Sequence, residues 1–289
     1  MTIYTCYYIL NHIAYYRIWK LVVINHLNLL LFTKDVSLAK QAEEAGVESI
    51  IVDWEQTGKH QRQSGYSTEI NSHTTQNVIE LAEVITIPIT VRINPFGSNT
   101  IKEIETALDC GAKIIMLPMA KHPREVEKFL DLVHGRAETI IQIETSELVE
   151  HCHLLRDLSW NYAYIGLNDL TISRQKTWIW DLVADGTVEK IFESLGHRLI
   201  GFGGVTIISG GNPIPFINIL HEMSRLNCRL SVLRRSFKRE IVGRDFQTEI
   251  DAIRTAWVAA SERNPKTIQD DHLAFIELLR DKKYMLYKV

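Results

Sequence analysis

From Leu27 onward the chain alternates short, almost uniformly apolar runs with longer stretches of helical periodicity. No other feature constrains the fold as strongly. The apolar runs lie at 27–32, 49–52, 87–93, 113–117, 139–143, 162–166, 199–202 and 229–233. Between them apolar residues recur at helical spacing. The stretch 100–110 carries Ile101, Ile104, Ala107 and Leu108 on one face, and Gly111 closes it. Pro123 opens the next helix in its first turn, where a missing N–H costs nothing. Strands apolar on both faces belong in a parallel sheet covered by helices. About eight strand–helix units in succession predict an α/β fold, a single (β/α)8 TIM barrel over residues 27–263.

Both ends of the chain are expected to lie outside that barrel. Residues 1–26 are rich in Tyr, Ile, Leu and His, but Asn11, His12, Arg17, Lys20, Asn25 and His26 interrupt every apolar stretch. The segment falls short of the roughly 18–20 apolar residues of a spanning helix and lacks the pattern of a signal peptide. It reads as an appended segment. At the other end, Asn264-Pro265 is expected to break the last barrel helix. Residues 264–289 then carry an added helix at 273–279, a candidate contact in a homo-oligomer. The longest irregular stretch, 171–185, holds Trp178 and Trp180 and reads either as a lid or as surface packing.

A chain of 289 residues is long enough for one large barrel. Its formal net charge of −3 gives no bulk basic excess, so neither nucleic acid nor a membrane is the expected partner. A local exception is the basic cluster Arg234, Arg235, Lys238 and Arg239. Cys6, Cys110, Cys152 and Cys228 are scattered without metal-site spacing, which fits reduced thiols in a cytoplasmic protein.

In such barrels chemistry sits at the C-terminal strand ends. Glu55, Arg92, Glu144 and Asp169 all fall there. A hard divalent cation such as Mg2+ favours oxygen ligands and keeps water positions open to a chelating 2-oxo acid. An arginine beside it would bind a carboxylate or a developing oxyanion. The residues by themselves leave a second set of roles open. Acids at strand ends also cap helices, Asp169 before Ser173 and Glu144 before Ser146, and Arg92 could serve as a salt-bridge partner.

Five segments occur in order: Val52-Asp53-Trp54-Glu55, Val91-Arg92-Ile93-Asn94, Gly111 to Met119, Gln142-Ile143-Glu144-Thr145 and Ile165 to Leu170. Together they resemble the HpcH/HpaI aldolase and citrate lyase β-subunit family, well over 27–169 and weakly beyond. The resemblance implies a metal-dependent carbon–carbon lyase acting on 2-oxo acids or acyl-CoA thioesters. Glu144 and Asp169 match the metal ligands for Mg2+ or Mn2+. Arg92 matches the substrate-binding arginine, and Glu55 the acid of the site's hydrogen-bond network. Backbone N–H groups at Met119 and at Gly166, Leu167 and Asn168 would lie near a bound carboxylate. Lys59 and Arg62 look like the basic pair that follows the acidic motif in citrate-lyase-like members.

One departure bears on mechanism. The aldolase branch has a histidine after the acidic residue and the citrate lyase branch an aspartate, whereas this chain has Gln56. Glutamine takes no proton near neutral pH, so another group (His60, His73 or a metal-bound water) must serve, or the chemistry differs. The second half adds Gly201-Phe202-Gly203-Gly204 and Ser231-Val232-Leu233-Arg234-Arg235-Ser236 at the last two strand ends. There glycines and Arg234 could hold a phosphate or carboxylate, or form a solvated basic turn. The function expected is an aldolase-type lyase of a 4-hydroxy-2-oxo acid, working through a metal-stabilised pyruvate-like enolate. The alternatives are a citrate-lyase-like acyl-CoA lyase and, because of Gln56, a non-catalytic barrel binding an oxo acid or a protein.

Overall fold

The computed structural model describes residues 26–58, 73–196 and 198–281. The expectations for residues 1–25 and for Lys59, His60 and Arg62 fall outside the described residues. Strands β1 (Asn28–Phe32), β2 (Ser49–Asp53), β3 (Ile89–Arg92), β4 (Ile114–Leu117), β5 (Glu138–Ile143), β6 (Tyr162–Ile165), β7 (Leu199–Gly201) and β8 (Leu230–Leu233) close into a barrel in sequence order. Every neighbouring pair is parallel, including β1 with β8, where Leu30 lies beside Val232. The outer layer follows the alternation read from the sequence. Its helices are α1 (Val36–Glu44), α2 (Thr75–Ala82), α3 (Thr100–Asp109), α4 (Pro123–Val133) and α5 (Ser146–Glu150), then a 3-10 turn at Cys152–Leu155. Next come α6 (Leu167–Ser173), α7 (Asp181–Ala184), α8 (Thr187–Leu195), α9 (Phe216–Arg225), α10 (Arg235–Glu240), α11 (Phe246–Ser261) and α12 (Pro265–Arg280).

Side-chain alternation divides the core in two. Leu29, Leu31, Ile50, Val52, Val91, Ile115, Leu117, Ile141, Ile143, Ala163 and Ile165 point outward and pack beneath the helices. Leu30, Ile51, Ile114, Met116, Ile140, Leu230 and Val232 point inward and fill the lumen, with Phe32, Tyr162 and Tyr164 against them. Because the period is two, the inward phase continues beyond the apolar layers to the upper rim. On β2 it leads from Ile51 to Asp53, on β3 from Thr90 to Arg92, and on β5 from Ile140 through Gln142 to Glu144. The barrel is therefore an apolar plug with a polar, ionisable top.

Three sequence expectations shift. The helix expected from Pro213 begins at Phe216, because Ile214 precedes Pro215 and the residue before a proline is pushed to extended backbone. Asn264-Pro265 does not merely interrupt. Asn264 caps a new helix by accepting from the Thr267 N–H at 3.0 Å, and Pro265 sits in its first turn, so the added helix runs from Pro265 rather than from 273. Phe275 and Leu279 on that helix are buried within this chain, while Leu273 is exposed. The stretch 171–185 is less irregular than expected. α6 reaches Ser173, α7 starts at Asp181, and both Trp178 and Trp180 are buried. No helix among the described residues is long and apolar enough to cross a membrane. Cys110, Cys152 and Cys228 form no disulfide.

Candidate active site

The upper rim is organised around Arg92. Asp53 and Arg92 are register partners on β2 and β3, and both side chains point into the barrel. Arg92 donates from Nε to Asp53 Oδ1 at 2.8 Å and from Nη2 to Asp53 Oδ2 at 2.7 Å. Planar forks matched in this way form the strongest type of side-chain pair. Glu55 Oε2 lies 3.5 Å from the same Nη2, and Nη1 points at Gln142 Oε1, 3.4 Å away. The guanidinium carbon also stands 4.8 Å from the centre of the Phe32 ring. Burial disfavours the cation, but Asp53 and Glu55 outweigh it and hold Arg92 more firmly charged than usual. The salt-bridge role left open for Arg92 is thus real, with Asp53 as partner, and Arg92 still lines the cavity described below.

Glu144 follows β5 by one residue and is 2% exposed. Its Oε1 accepts from the Met119 N–H at 2.9 Å, and its Oε2 from Gln142 Nε2 at 3.2 Å. Met119 adopts φ 55°, a left-handed conformation that costs a non-glycine residue about 1–2 kcal/mol. That conformation aims its N–H at the carboxylate. Thr145, not Glu144, caps α5 by accepting from Leu148 N–H, so the helix-capping alternative for Glu144 falls away. Asp169 sits in the first turn of α6, whose N-cap is Gly166, so Asp169 is not the residue at that helix's N-cap position. Gly166 leaves the space Glu144 needs, since a Cβ there would stand 2.2 Å from Glu144 Oε2. Burial, followed by the nearby Asp169 and Glu55 charges, pushes Glu144 up to about 8. Two acids crowded in low dielectric are stabilised as carboxylates by a cation. Among the described residues no group of three or more His, Cys, Asp or Glu side chains is arranged to hold a metal. A hard cation at Glu144 and Asp169 would therefore complete its shell with water or substrate oxygens, a donor set that suits Mg2+.

These groups open into a cavity of about 520 Å³. Arg92, Gln142, Glu144, Gly166, Leu167, Asn168 and Asp169 line one side. Tyr164, Trp180, Gly203, Gly204, Arg234 just after β8 and all of α10 except Phe237 line the rest. Tyr164 donates to the Gly203 carbonyl at 2.9 Å and ties β6 to the turn after β7. Of the residues singled out in the sequence, Arg92, Glu144, Gly166, Leu167, Asn168, Asp169 and Arg234 share this cavity. Glu55 lies behind Arg92, and Met119 acts through Glu144. His73 does not face the cavity as a base would: its Nδ1 accepts from the Asp53 backbone N–H at 2.9 Å. Gln56 is exposed, and its N–H donates to Asn94 Oδ1. The sequence reading assigned no role to Asp53, Gln142 or Tyr164. Extending the two-residue period inward from Ile51, Ile140 and Tyr162 would have found all three.

No protein-family model matches the chain, and no curated protein matches its sequence. Similar solved structures exist. The citrate synthase SbnG superposes with a TM-score of 0.55 at 16% identity, covering 76% of this chain and 91% of that one. The citrate lyase β subunit from M. tuberculosis, complexed with oxaloacetate and magnesium, gives 0.54 at 16% over 80% and 97%. The M. tuberculosis protein CitE, in complex with magnesium and pyruvate, gives 0.54 at 15% over 87% and 98%. Phosphoribosyl anthranilate isomerase from Thermus thermophilus gives 0.51 at 9% over 81% and 99%. A barrel of different chemistry thus fits nearly as well, so the superpositions establish a shared (β/α)8 fold and leave chemistry to the site.

Proposed function

We propose that the chain is a divalent-metal-dependent carbon–carbon lyase of the HpcH/HpaI aldolase and citrate lyase β-subunit type, acting on a 2-oxo acid. The observation that carries this is the buried pair Glu144 and Asp169 lining the same cavity as Arg92. Support comes also from the five ordered segments and from two similar folds that hold magnesium with oxaloacetate or pyruvate. Glu144 and Asp169 would hold Mg2+ or Mn2+, which supplies Lewis-acid stabilisation of negative charge on a substrate oxygen.

The chain's own groups do the remaining work. Arg92, fixed on two sides by Asp53, keeps Nη1 directed toward Gln142 and the cavity, where it would bind the oxo-acid end and stabilise charge developing on it. Because the arginine is already aligned by a buried carboxylate, little reorganisation accompanies that step. Glu55 adds a second negative charge behind it. The Met119 N–H and the Gln142 amide hold the two Glu144 oxygens in place. Trp180, buried and lining the cavity, would help to exclude water from the site.

Calorimetric titration of oxalate, a planar mimic of the pyruvate enolate, tests the proposal. Binding with Mg2+ that EDTA abolishes is the expected result. Absence of binding with Mg2+ and with Mn2+ would overturn it.

A further inference from the structure

A second hollow, of about 360 Å³, lies in the helical layer and shares no lining residue with the rim cavity. α8 contributes Thr187, Lys190, Ile191 and Glu193, α5 contributes Val149 and Glu150, and Arg174 follows α6. Arg174 is half-buried. Its Nη1 donates to Thr187 Oγ1 at 3.2 Å, its Nε is buried without a partner, and no carboxylate among the described residues pairs with it. Cys152, which also lines the hollow, supplies no negative charge, because burial pushes its thiol up. The backbone beside Arg174 is fixed, since Ser173 Oγ accepts from the Ser146 N–H at 2.8 Å. A guanidinium partly withdrawn from water and met only by a neutral hydroxyl lacks the oxyanion that its fork is shaped to hold.

The hollow is polarised along α8. Thr187 is the first residue of that helix and Lys190 lies one turn on, so Arg174, Lys190 and the helix N-terminus concentrate positive potential at one end. Two acids close to that end already have partners. Asp185 accepts from the Thr187 N–H at 2.9 Å and pairs with Lys176 at 3.1 Å, and Glu189 pairs with Arg225 at 2.6 Å. Glu193 lies in the last turn, where the helix carbonyls favour a cation. Arg156 donates to the Glu193 and Ser194 carbonyls, yet the Glu193 and Glu150 carboxylates form no ion pair among the described residues. Thr187 and Glu193 stand about 9 Å apart along the helix axis, with Ile191 between them. We propose that this hollow is a binding site, separate from the rim cavity, for a small zwitterion whose charges are spaced by a methylene chain, an ω-amino carboxylate. Its carboxylate lies on Arg174 and Lys190, its chain against Ile191 and Val149, and its ammonium at Glu193 and Glu150. The adjacent charges of an α-amino acid are too close to reach both poles, and a simple anion would leave the acids of the far pole unanswered.

The test is calorimetric titration of 6-aminohexanoate into the full chain without added metal, beside hexanoate, hexylamine and glycine. The zwitterion should bind about tenfold more tightly than each of the other three at low salt, an advantage that fades as salt screens it. Arg174→Gln and Glu193→Gln should each reduce the affinity for 6-aminohexanoate about tenfold. Thermal unfolding and circular dichroism confirm that each variant folds. No binding of 6-aminohexanoate at millimolar concentration would overturn the proposal, as would hexanoate or glycine binding equally well, or an affinity unchanged in folded Arg174→Gln. Competition between 6-aminohexanoate and Mg2+–oxalate would also overturn it, by moving the ligand to the rim. The lyase reading is tested apart from this one, since it rests on metal-dependent oxalate binding and the zwitterion needs no metal.

Discussion

Asp53 and Arg92 are side-by-side residues on adjacent strands, joined by two parallel hydrogen bonds of 2.8 and 2.7 Å at a position where Asp53 is wholly buried. The pair converts a flexible cation into a fixed one. It also occupies Nε and Nη2, so in the proposed role a substrate would be met through Nη1, on the edge that points toward Gln142. In the proposed role, specificity at this end of the cavity would depend on Asp53 as well as on the arginine that it aligns.

Asp53→Asn is expected to leave a buried guanidinium short of its partner. Stability should fall by about 3–5 kcal/mol, the usual cost of breaking one side of a buried pair. Chemical denaturation measures this. Any folded fraction should bind Mg2+–oxalate at least tenfold more weakly, because Arg92 would no longer be aligned.

Glu144 gives a pH signature. Its folded-state value of about 8 stands above the ordinary 4.5. The protonated acid's favourable contribution is thus complete below about pH 4.5 and is lost as pH rises through 8. Glu144→Gln cannot lose it, so the melting temperature of the variant relative to the parent should climb between pH 5 and pH 9. The total is on the order of a few kcal/mol. Mg2+ should narrow the gap by stabilising the carboxylate in the parent alone. A gap that does not change with pH would refute this.

Gly166→Ala places a Cβ 2.2 Å from Glu144 Oε2. The carboxylate must move or the loop must shift, at a cost of roughly 1–3 kcal/mol. Metal-dependent oxalate affinity should drop more steeply than stability. Titration of the folded variant measures one and thermal melting the other.

His73→Ala removes the acceptor for the Asp53 N–H. A loss of about 1–3 kcal/mol is expected from the unsatisfied buried donor. If His73 only supports Asp53, the pH–rate profile of the variant keeps the shape of the parent's. Disappearance of a limb of the parent's profile would instead make it the proton carrier.

Much of this was legible from local pattern. The start of α4 at Pro123 coincides with the expectation, because a proline in the first turn is a local signal. Glu144 and Asp169 were legible because they follow apolar runs whose ends mark the rim. Asp53 was passed over because a strand-terminal aspartate looks the same whether it stops a strand or pairs across to its neighbour. Only the β2–β3 register separates the two. The helix onset at Phe216 was missed because two prolines in close succession were read as a helix entry rather than as a stretch of extended backbone.

The sequence by itself determined the barrel. Eight runs apolar on both faces, each followed by a helical face, have few other ways to bury their surface. The tertiary structure alone decided which charges meet. Asp53 and Arg92 are 39 positions apart and Met119 and Glu144 are 25 apart, yet each pair is joined by a direct hydrogen bond. Strand register and barrel closure set those distances. Desolvation, a property of the folded whole, then turned ordinary acids and arginines into groups with shifted proton affinity and fixed aim.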